Sequence, residues 1–161
     1  SKLKKPEKVL EIGTYTGYSA ICLSEGLKKD GKLITIELED ELEDFILKYF
    51  EKAGIKDKTK LIIGDAKTEL SKLDEVFDII FIDGNKREYP DYFKICKDKI
   101  NKGGLLIADN VLWDEKVLEK PDDSDFQTKG IIEFTKMINK DSDFDNFILP
   151  VRDGLLIAER K

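Results

Sequence analysis

Residues 9–20, with the sequence VLEIGTYTGYSA, constrain the fold of this chain more than any other segment. The letters VLEI are typical of a buried strand, a turn with Gly13 and Gly17 follows, and a helix is predicted to begin at residues 17–19. This succession is typical of a nucleotide-type ligand site, because glycines let a ligand approach the backbone and a helix N-terminus presents free N–H groups. The alternative is a plain strand–turn–helix in which glycine provides only backbone freedom.

The spacing of the glycines distinguishes between two classes of ligand. The dinucleotide fingerprint G-x-G-x-x-G needs its middle glycine to make room for a pyrophosphate, and Tyr15 occupies that position here. Glu11 before the turn and Tyr15 within it favour a ligand that has no phosphate and carries a positive centre. S-adenosylmethionine (SAM) is such a ligand, and we expect it to be the cofactor.

Composition limits the class of protein and its chemistry. At 161 residues, the chain is long enough to bury a core and is predicted to form one domain over residues 1–161. It has no run of roughly 18 apolar residues and no signal-peptide pattern, so we expect a cytoplasmic protein with no membrane partner. The net charge of -6 gives no support to a nucleic acid partner. Because histidine is absent, a catalytic base has to be Lys, Asp, Glu or Tyr, and a metal has to accept oxygen ligands.

Strand and helix patterns alternate along the chain, which predicts an α/β fold with helices on both faces of a parallel sheet. The predicted strands are residues 8–12, 32–37, 60–63, 77–82 and 104–108, and the predicted helices are residues 18–28, 40–53, 67–73, 92–100 and 127–138. Residues 144–149 and 155–158 predict two further strands, and the gap between them is too short for a crossover helix, so this pair must be antiparallel. A Rossmann-like, mostly parallel seven-stranded sheet with a C-terminal antiparallel hairpin is the arrangement of class I methyltransferases.

Polar residues follow the predicted strands at their carboxyl ends, where open parallel sheets bind ligands. Glu37 ends the second strand, 20 residues after Gly17, and an acid there can accept hydrogen bonds from the ribose of either SAM or NAD. Asp65 follows the third strand and is placed to contact an adenine. It can equally be the N-cap of the next helix, and the two roles are compatible.

The next two strand ends carry acids that predict a cation site. Asp83 follows the fourth strand, and Asp109 and Asn110 follow the fifth. Neighbouring strands lie roughly 5 Å apart, so the two carboxylates would converge, and they repel unless one is protonated or a cation lies between them. With the amide oxygen of Asn110, the donors favour Mg²⁺, with Ca²⁺ or Mn²⁺ as alternatives. The alternative is that both acids are solvated loop caps.

Lys86 and two aromatic residues are predicted near the same strand ends. Lys86, three residues after Asp83, is either a solvated loop lysine or, beside a bound cation, a general base, because a nearby cation favours the neutral amine. Trp113 and Tyr89 either form an aromatic wall for a planar substrate or belong to the core.

The motifs EIGTYTGYSA, FIDGNK and IADNVLW, together with TIE at Glu37 and LPVRDGLLIA, resemble those of the cation-dependent O-methyltransferases, the group of catechol and caffeoyl-coenzyme A O-methyltransferases. The resemblance runs from about Val9 to the C-terminus. It implies that eight residues contact the cofactor: Glu11, Gly13, Tyr15, Ser19, Glu37, Asp65, Ala66 and Asp83. It implies metal ligands at Asp83, Asp109 and Asn110, and Lys86 as the catalytic residue.

Two features depart from the family pattern. Many members read D-A-D-K where this chain has Asp83-Gly84-Asn85-Lys86, so Asn85 replaces a cofactor contact made by the second acid. Members also carry helices before the first strand, whereas the first strand of this chain is predicted from Lys8, so we expect the family's N-terminal helices to be absent from it.

The sequence therefore predicts a SAM-dependent, divalent-metal-dependent O-methyltransferase of a catechol-like small molecule with adjacent oxygens. The resemblance also implies a homodimer. A tRNA hydroxyuridine O-methyltransferase is the alternative within the family, and the acidic net charge disfavours it. Tyr15 and the terminal hairpin disfavour an NAD-dependent oxidoreductase. A non-catalytic binding protein would be expected to lack Lys86 or a metal ligand, and this chain has them all.

Overall fold

Seven strands alternate with five α-helices in the computed structural model, which describes residues 1–161. The strands are β1 (Lys8–Ile12), β2 (Lys32–Glu37), β3 (Thr59–Ile63), β4 (Phe77–Ile82), β5 (Ile100–Ala108), β6 (Phe144–Leu149) and β7 (Leu155–Arg160). The helices are α1 (Tyr18–Ser24), α2 (Glu43–Lys52), α3 (Ala66–Ser71), α4 (Tyr89–Cys96) and α5 (Phe126–Lys140). None of the helices has the length and apolar character needed to cross a bilayer.

All seven strands form one sheet, in the order β3-β2-β1-β4-β5-β7-β6. Strands β1 to β5 pair in parallel, and β7 runs antiparallel between β5 and β6. This topology confirms the predicted class I methyltransferase fold, including its C-terminal hairpin. Because β1 lies between β2 and β4, the strand order reverses there, and the crevice beyond the carboxyl ends of these strands is where such sheets bind ligands.

Buried side chains cover the two faces of the sheet in separate clusters, since successive strand residues point to opposite faces. The larger cluster packs α3, α4 and α5 against the sheet and includes Leu10 of β1 and Ile80 of β4. The smaller cluster packs α1 and α2 against the other face and includes Val9 and Ile79, the neighbours of those two residues. The helices therefore lie on both faces, as predicted.

Several element boundaries differ from the prediction: α2 begins at Glu43, α4 ends at Cys96, and β5 begins at Ile100. Two further helix boundaries differ for identifiable reasons. Helix α4 begins at Tyr89 rather than at residue 92, because a 3₁₀ turn (Lys86–Glu88) leads into it and Pro90 occupies its first turn, where the fixed φ of proline suits a helix. Helix α1 ends at Ser24 rather than at residue 28. Glycine has a low helix propensity, so Gly26 disfavours continuation of α1. The backbone of Ser1 packs on Gly26 so closely that a Cβ at residue 26 would collide with Ser1.

Candidate functional site

A cavity of about 1130 Å³ opens beyond the carboxyl ends of the parallel strands. Seven of the eight residues predicted to contact the cofactor line it, namely Gly13, Tyr15, Ser19, Glu37, Asp65, Ala66 and Asp83. Asp109 lines the same cavity. Its volume slightly exceeds the roughly 300–1,000 Å³ of sites for drug-sized ligands, so it has room for a nucleoside derivative.

The turn after β1 packs directly on the loop after β4. Gly13 has a φ of 95°, and a Cβ there would collide with the main-chain carbonyl of Asp83. Only glycine allows both this backbone conformation and this close approach. The turn therefore brings the predicted cofactor residues against the loop that carries the predicted metal ligand.

Glu37, at the end of β2, holds the same turn from the other side. Its carboxylate is buried, and its Oε2 accepts a hydrogen bond of 2.6 Å from the main-chain N–H of Tyr15. Its Oε1 accepts one of 3.0 Å from the N–H of Glu39. A carboxylate has further lone pairs, so Glu37 can still accept hydrogen bonds from ribose hydroxyls. The Tyr15 side chain projects outward, with 71% of its surface exposed.

Asp65 is the N-cap of α3, which was one of its two predicted roles. Its carboxylate accepts hydrogen bonds from the N–H of Thr68, at 2.9 Å, and from the Thr68 hydroxyl, at 2.8 Å. These two bonds lower the pKa of Asp65, because they stabilise the ionised form. Asp65 and Ala66 both line the cavity, so the capping role is compatible with the predicted contact of Asp65 with an adenine. That contact stays a prediction.

Glu11 does not line the cavity, unlike the other predicted cofactor residues. Its side chain is fully buried, and its Oε2 accepts a hydrogen bond of 2.5 Å from the Thr35 hydroxyl. The Thr14 hydroxyl lies 2.5 Å from that of Thr35, and Oε1 of Glu11 has no partner. Burial raises the pKa of Glu11 to about 7, although the nearby hydroxyls of Ser19 and Thr35 oppose this effect; the charges of Asp83 and Glu37 add to it. Glu11 therefore lies beneath the cofactor turn, and its direct contact with a ligand stays a prediction.

We expect Glu11 to make the ligand-free protein less stable as the pH rises. The unfolded chain ionises Glu11 near the ordinary glutamate pKa of 4.5, whereas the folded protein ionises it only at a pKa of about 7. The contribution of Glu11 to the free energy of unfolding should therefore fall by about 3 kcal/mol as the pH rises from 4.5 to 7, and it should change little at higher pH. The Glu11→Gln variant lacks this titration, so it should gain that much stability relative to the unsubstituted protein between pH 4.5 and 8.

Urea denaturation of the two proteins without cofactor, at intervals from pH 4.5 to 8, measures this difference. The exposed Glu133→Gln on α5 is the matched control, and its stability should follow that of the unsubstituted protein at every pH. Parallel stability curves for Glu11→Gln and the unsubstituted protein would contradict the prediction.

Asp83 and Asp109 converge as predicted from the strand order. Ile82 of β4 pairs with Ala108 of β5, so the two acids are the next residues along neighbouring parallel strands. Burial raises the pKa of Asp109, and the charge of Asp83 adds to this effect, although a 2.7 Å hydrogen bond from the N–H of Asn110 opposes it. No group of three or more His, Cys, Asp or Glu side chains is arranged to hold a metal ion. A cation here would bind two carboxylates and an amide.

Lys86 is buried, so its interpretation as a solvated loop lysine is wrong. Only 8% of its side chain is exposed, and its Nζ donates a hydrogen bond of 2.7 Å to Oδ1 of Asp83. The Nζ also lies 5.1 Å from the ring centroid of Tyr89. Gly130 of α5 packs closely on the backbone of Lys86, and a Cβ at residue 130 would collide with the main-chain carbonyl of Lys86. Tertiary packing by two helices thus places the amine beside the predicted metal ligands.

Neither aromatic residue that was considered for a substrate wall lines the cavity. Tyr89 is fully buried in the larger core cluster, and Trp113 is half-buried against that cluster. The cavity is instead lined by two residues that sequence analysis did not select, Glu88 and Tyr92. Glu88 accepts hydrogen bonds from the Tyr92 hydroxyl, at 2.8 Å, and from Lys67, at 2.9 Å. Glu88 and Tyr92 lie one turn apart at the start of α4, and no pattern in the sequence singles them out; the packing of α3 on α4 brings Lys67 to Glu88.

Comparison with known proteins agrees with the resemblance inferred from the motifs. The model of a family described as O-methyltransferase matches residues 1–161. The chain is 31% identical to caffeoyl-CoA O-methyltransferase 5 of Nicotiana tabacum, in an alignment that covers 99% of this chain and 71% of that protein.

Two solved structures extend this similarity to three dimensions. One is the O-methyltransferase TomG from Streptomyces achromogenes, which is involved in tomaymycin synthesis and was solved in complex with SAM. It superposes on this chain with a TM-score of 0.93 and 30% sequence identity, and the alignment covers 99% of this chain and 75% of TomG. An O-methyltransferase from Bacillus cereus, solved in complex with SAH (S-adenosylhomocysteine, the demethylated product of SAM), has a TM-score of 0.93 and 29% identity. That alignment covers 99% of this chain and 76% of the other.

Proposed function

This chain belongs to the O-methyltransferase family, and we propose on that basis that it transfers the methyl group of SAM to a hydroxyl of a catechol-like small molecule with the help of a divalent cation. The convergence of Asp83, Asp109 and Lys86 at two neighbouring strand ends is the observation that carries this proposal. It combines a pair of acids suited to a hard cation with a buried lysine, whose neutral form a bound cation would favour.

The proposed cofactor site is the cavity lined by the turn after β1 and by Glu37. Two relatives of similar fold were solved with SAM or SAH, and both ligands lack a phosphate. The cavity fits such a ligand, because Tyr15 stands where a dinucleotide site needs glycine. Glu37 would bind the ribose, and Asp65 and Ala66 would contact the adenine.

The residues that would hold the cation are Asp83, Asp109 and Asn110. Their fit follows from the chemistry of the donors: all three are hard oxygen ligands of the kind that Mg²⁺ and Mn²⁺ prefer. The raised pKa of Asp109, which arises from burial and from the charge of Asp83, indicates a site that gains from a positive charge. When bound, SAM supplies an electrophilic methyl group, and the cation supplies a Lewis acid that favours ionisation of the acceptor hydroxyl.

The protein's own residues perform the remaining steps. In its neutral form, Nζ of Lys86 would accept the proton of the substrate hydroxyl. The methyl group would then pass from the sulfur of SAM to that oxygen as the bond between sulfur and methyl breaks, which leaves SAH. Asp83 keeps this amine in place through the 2.7 Å contact. Much of the rate would come from the alignment of the two reacting groups by the cofactor cavity and the strand ends, because such positioning removes an entropic barrier.

Two observations support a catechol-like acceptor: the name of a relative and the number of protein ligands available to the cation. The tobacco relative is named for caffeoyl-CoA, and a pair of adjacent oxygens suits a cation held by only three protein ligands. A tRNA hydroxyuridine acceptor would use the same site, and no observation favours it. A cytoplasmic location and a homodimeric state stay predictions from the sequence.

A side-by-side assay tests the proposal. With labelled SAM and Mg²⁺, we expect methyl transfer to catechols and to a caffeoyl thioester, and none to bulk tRNA or to matched phenols that carry a single hydroxyl. The phenols are the control for the need for two oxygens, and excess chelator should stop the transfer. Transfer to tRNA alone would replace the small-molecule acceptor, and undiminished transfer in chelator would remove the cation from the proposal.

A further inference from the structure

Tyr89 belongs to the larger core cluster, and its buried hydroxyl needs hydrogen-bond partners. Tyr89 is 0% exposed and is among the largest fully buried side chains of the protein. A buried hydroxyl without hydrogen bonds costs free energy, so the identity of its partners shows what the hydroxyl holds in place. Those partners are main-chain atoms of the candidate cation site.

The two partners are carbonyl oxygens at the ends of adjacent strands. The Tyr89 hydroxyl lies 3.1 Å from the carbonyl oxygen of Ile82 and 3.1 Å from that of Asp109. Its single proton is therefore shared in a three-centre hydrogen bond. Ile82 immediately precedes Asp83, so one hydroxyl ties the main chain at both acidic candidate ligands.

Other contacts fix the ring that carries this hydroxyl. The ring of Phe134 on α5 meets it in a T-shaped arrangement, with the centroids 5.5 Å apart. The Nζ of Lys86 lies 5.1 Å from its centroid, within the range of a cation–π interaction. Tyr89 thus contacts the chain at Lys86, beside Asp83 and at Asp109, while its own ring is immobilised by the core.

We propose that Tyr89 is a positioning residue that holds the main chain of Asp83 and Asp109 at a fixed separation for cation binding, an inference that rests on the proposed function. Two neighbouring carboxylates repel each other, which favours separation of the strand ends when no cation is present. A neutral hydroxyl bonded to the main chain opposes this separation without occupying a carboxylate oxygen. Oδ1 of Asp83 accepts from Lys86 and Oδ1 of Asp109 accepts from the N–H of Asn110, so Oδ2 of each carboxylate stays available to a ligand.

The Tyr89→Phe variant tests this role, because it removes only the hydroxyl and keeps the ring. We expect it to weaken Mn²⁺ binding on the order of 10-fold, the lower end of the effect of outer-shell partners in metal sites. Its affinity for SAH, measured without metal, should be unchanged. Tyr49→Phe is the control: it removes a tyrosine hydroxyl from α2, which packs on the other face of the sheet, and Tyr49 does not line the cavity, so Mn²⁺ affinity should be unaltered.

Mn²⁺ affinity is measured by calorimetric titration of the full chain in the presence of SAH. The rise of the Tm with Mn²⁺ concentration gives the same comparison for a variant of lower stability, because the stabilisation depends on the ratio of free ligand to Kd. Equal Mn²⁺ affinities of Tyr89→Phe and the unsubstituted protein would overturn the inference, as would an equal loss in Tyr49→Phe. Failure of the unsubstituted protein to bind Mn²⁺ would instead contradict the proposed function, and with it this inference.

Discussion

Replacement of Lys86 by alanine is expected to lower kcat by about 10²- to 10⁴-fold, the range for the loss of a general base. Lys86 is the only lysine that forms an ion pair with Asp83, and the chain has no histidine that could act as the base in its place. Affinity for SAH should change little, because Lys86 does not line the cofactor cavity. The loss should shrink as the pH rises, since more of the acceptor hydroxyl then ionises without help.

Initial rates with a catechol substrate, saturating SAM and Mg²⁺ measure this effect. Lys94→Ala is the matched control, because Lys94 forms an ion pair of 3.3 Å with Asp91 at the same spacing of three residues, but on the exposed surface of α4. Its kcat should equal that of the unsubstituted enzyme. A near-normal kcat for Lys86→Ala at neutral pH would contradict the base role and leave Lys86 as the structural partner of Asp83.

Replacement of Asp109 by alanine is expected to reduce metal-dependent turnover by at least about 10³-fold while SAH still binds. Lewis-acid stabilisation is worth several kcal/mol, and about 1.4 kcal/mol corresponds to a factor of ten in rate. Asp109 tests the cation site better than Asp83, because Asp83 also pairs with Lys86 and supports the turn at Gly13. In the unsubstituted enzyme, chelation should abolish turnover and Mg²⁺ should restore it.

The control for this variant is Asp57→Ala, which removes an exposed carboxylate from the 3₁₀ turn before β3, at the opposite edge of the sheet. We expect it to retain normal turnover and normal dependence on Mg²⁺. Full activity of Asp109→Ala, or full activity of the unsubstituted enzyme in excess chelator, would show that the two acids serve a structural role only.

The topology and the meeting of the strand ends could be predicted because they depend on local patterns. Alternating strands and helices require crossovers, and the short gap before β7 permits only a hairpin. Once β4 and β5 are neighbours, the registration of Ile82 with Ala108 brings the following acids together without any further information. Backbone direction alone therefore locates Asp83 and Asp109.

The environments of single side chains could not be predicted, because they depend on residues distant in the sequence. Lys86 reads as a loop lysine until Gly130, from a helix more than 40 residues later, packs on its backbone. In the sequence, Thr35 is an ordinary β-branched strand residue. Only the pairing of β1 with β2 brings its hydroxyl within hydrogen-bond distance of Glu11. The same pairing buries Glu11 beneath the turn rather than within the cavity.

The absence of a side chain at Gly13 has a consequence for how the enzyme assembles its reactants. The turn that would hold the methyl donor and the loop that would hold the acceptor meet through backbone atoms, with no room for a methyl group between them. A ligand that displaced one segment would also displace the other, so we expect donor and acceptor each to change the affinity of the protein for the other by the same factor.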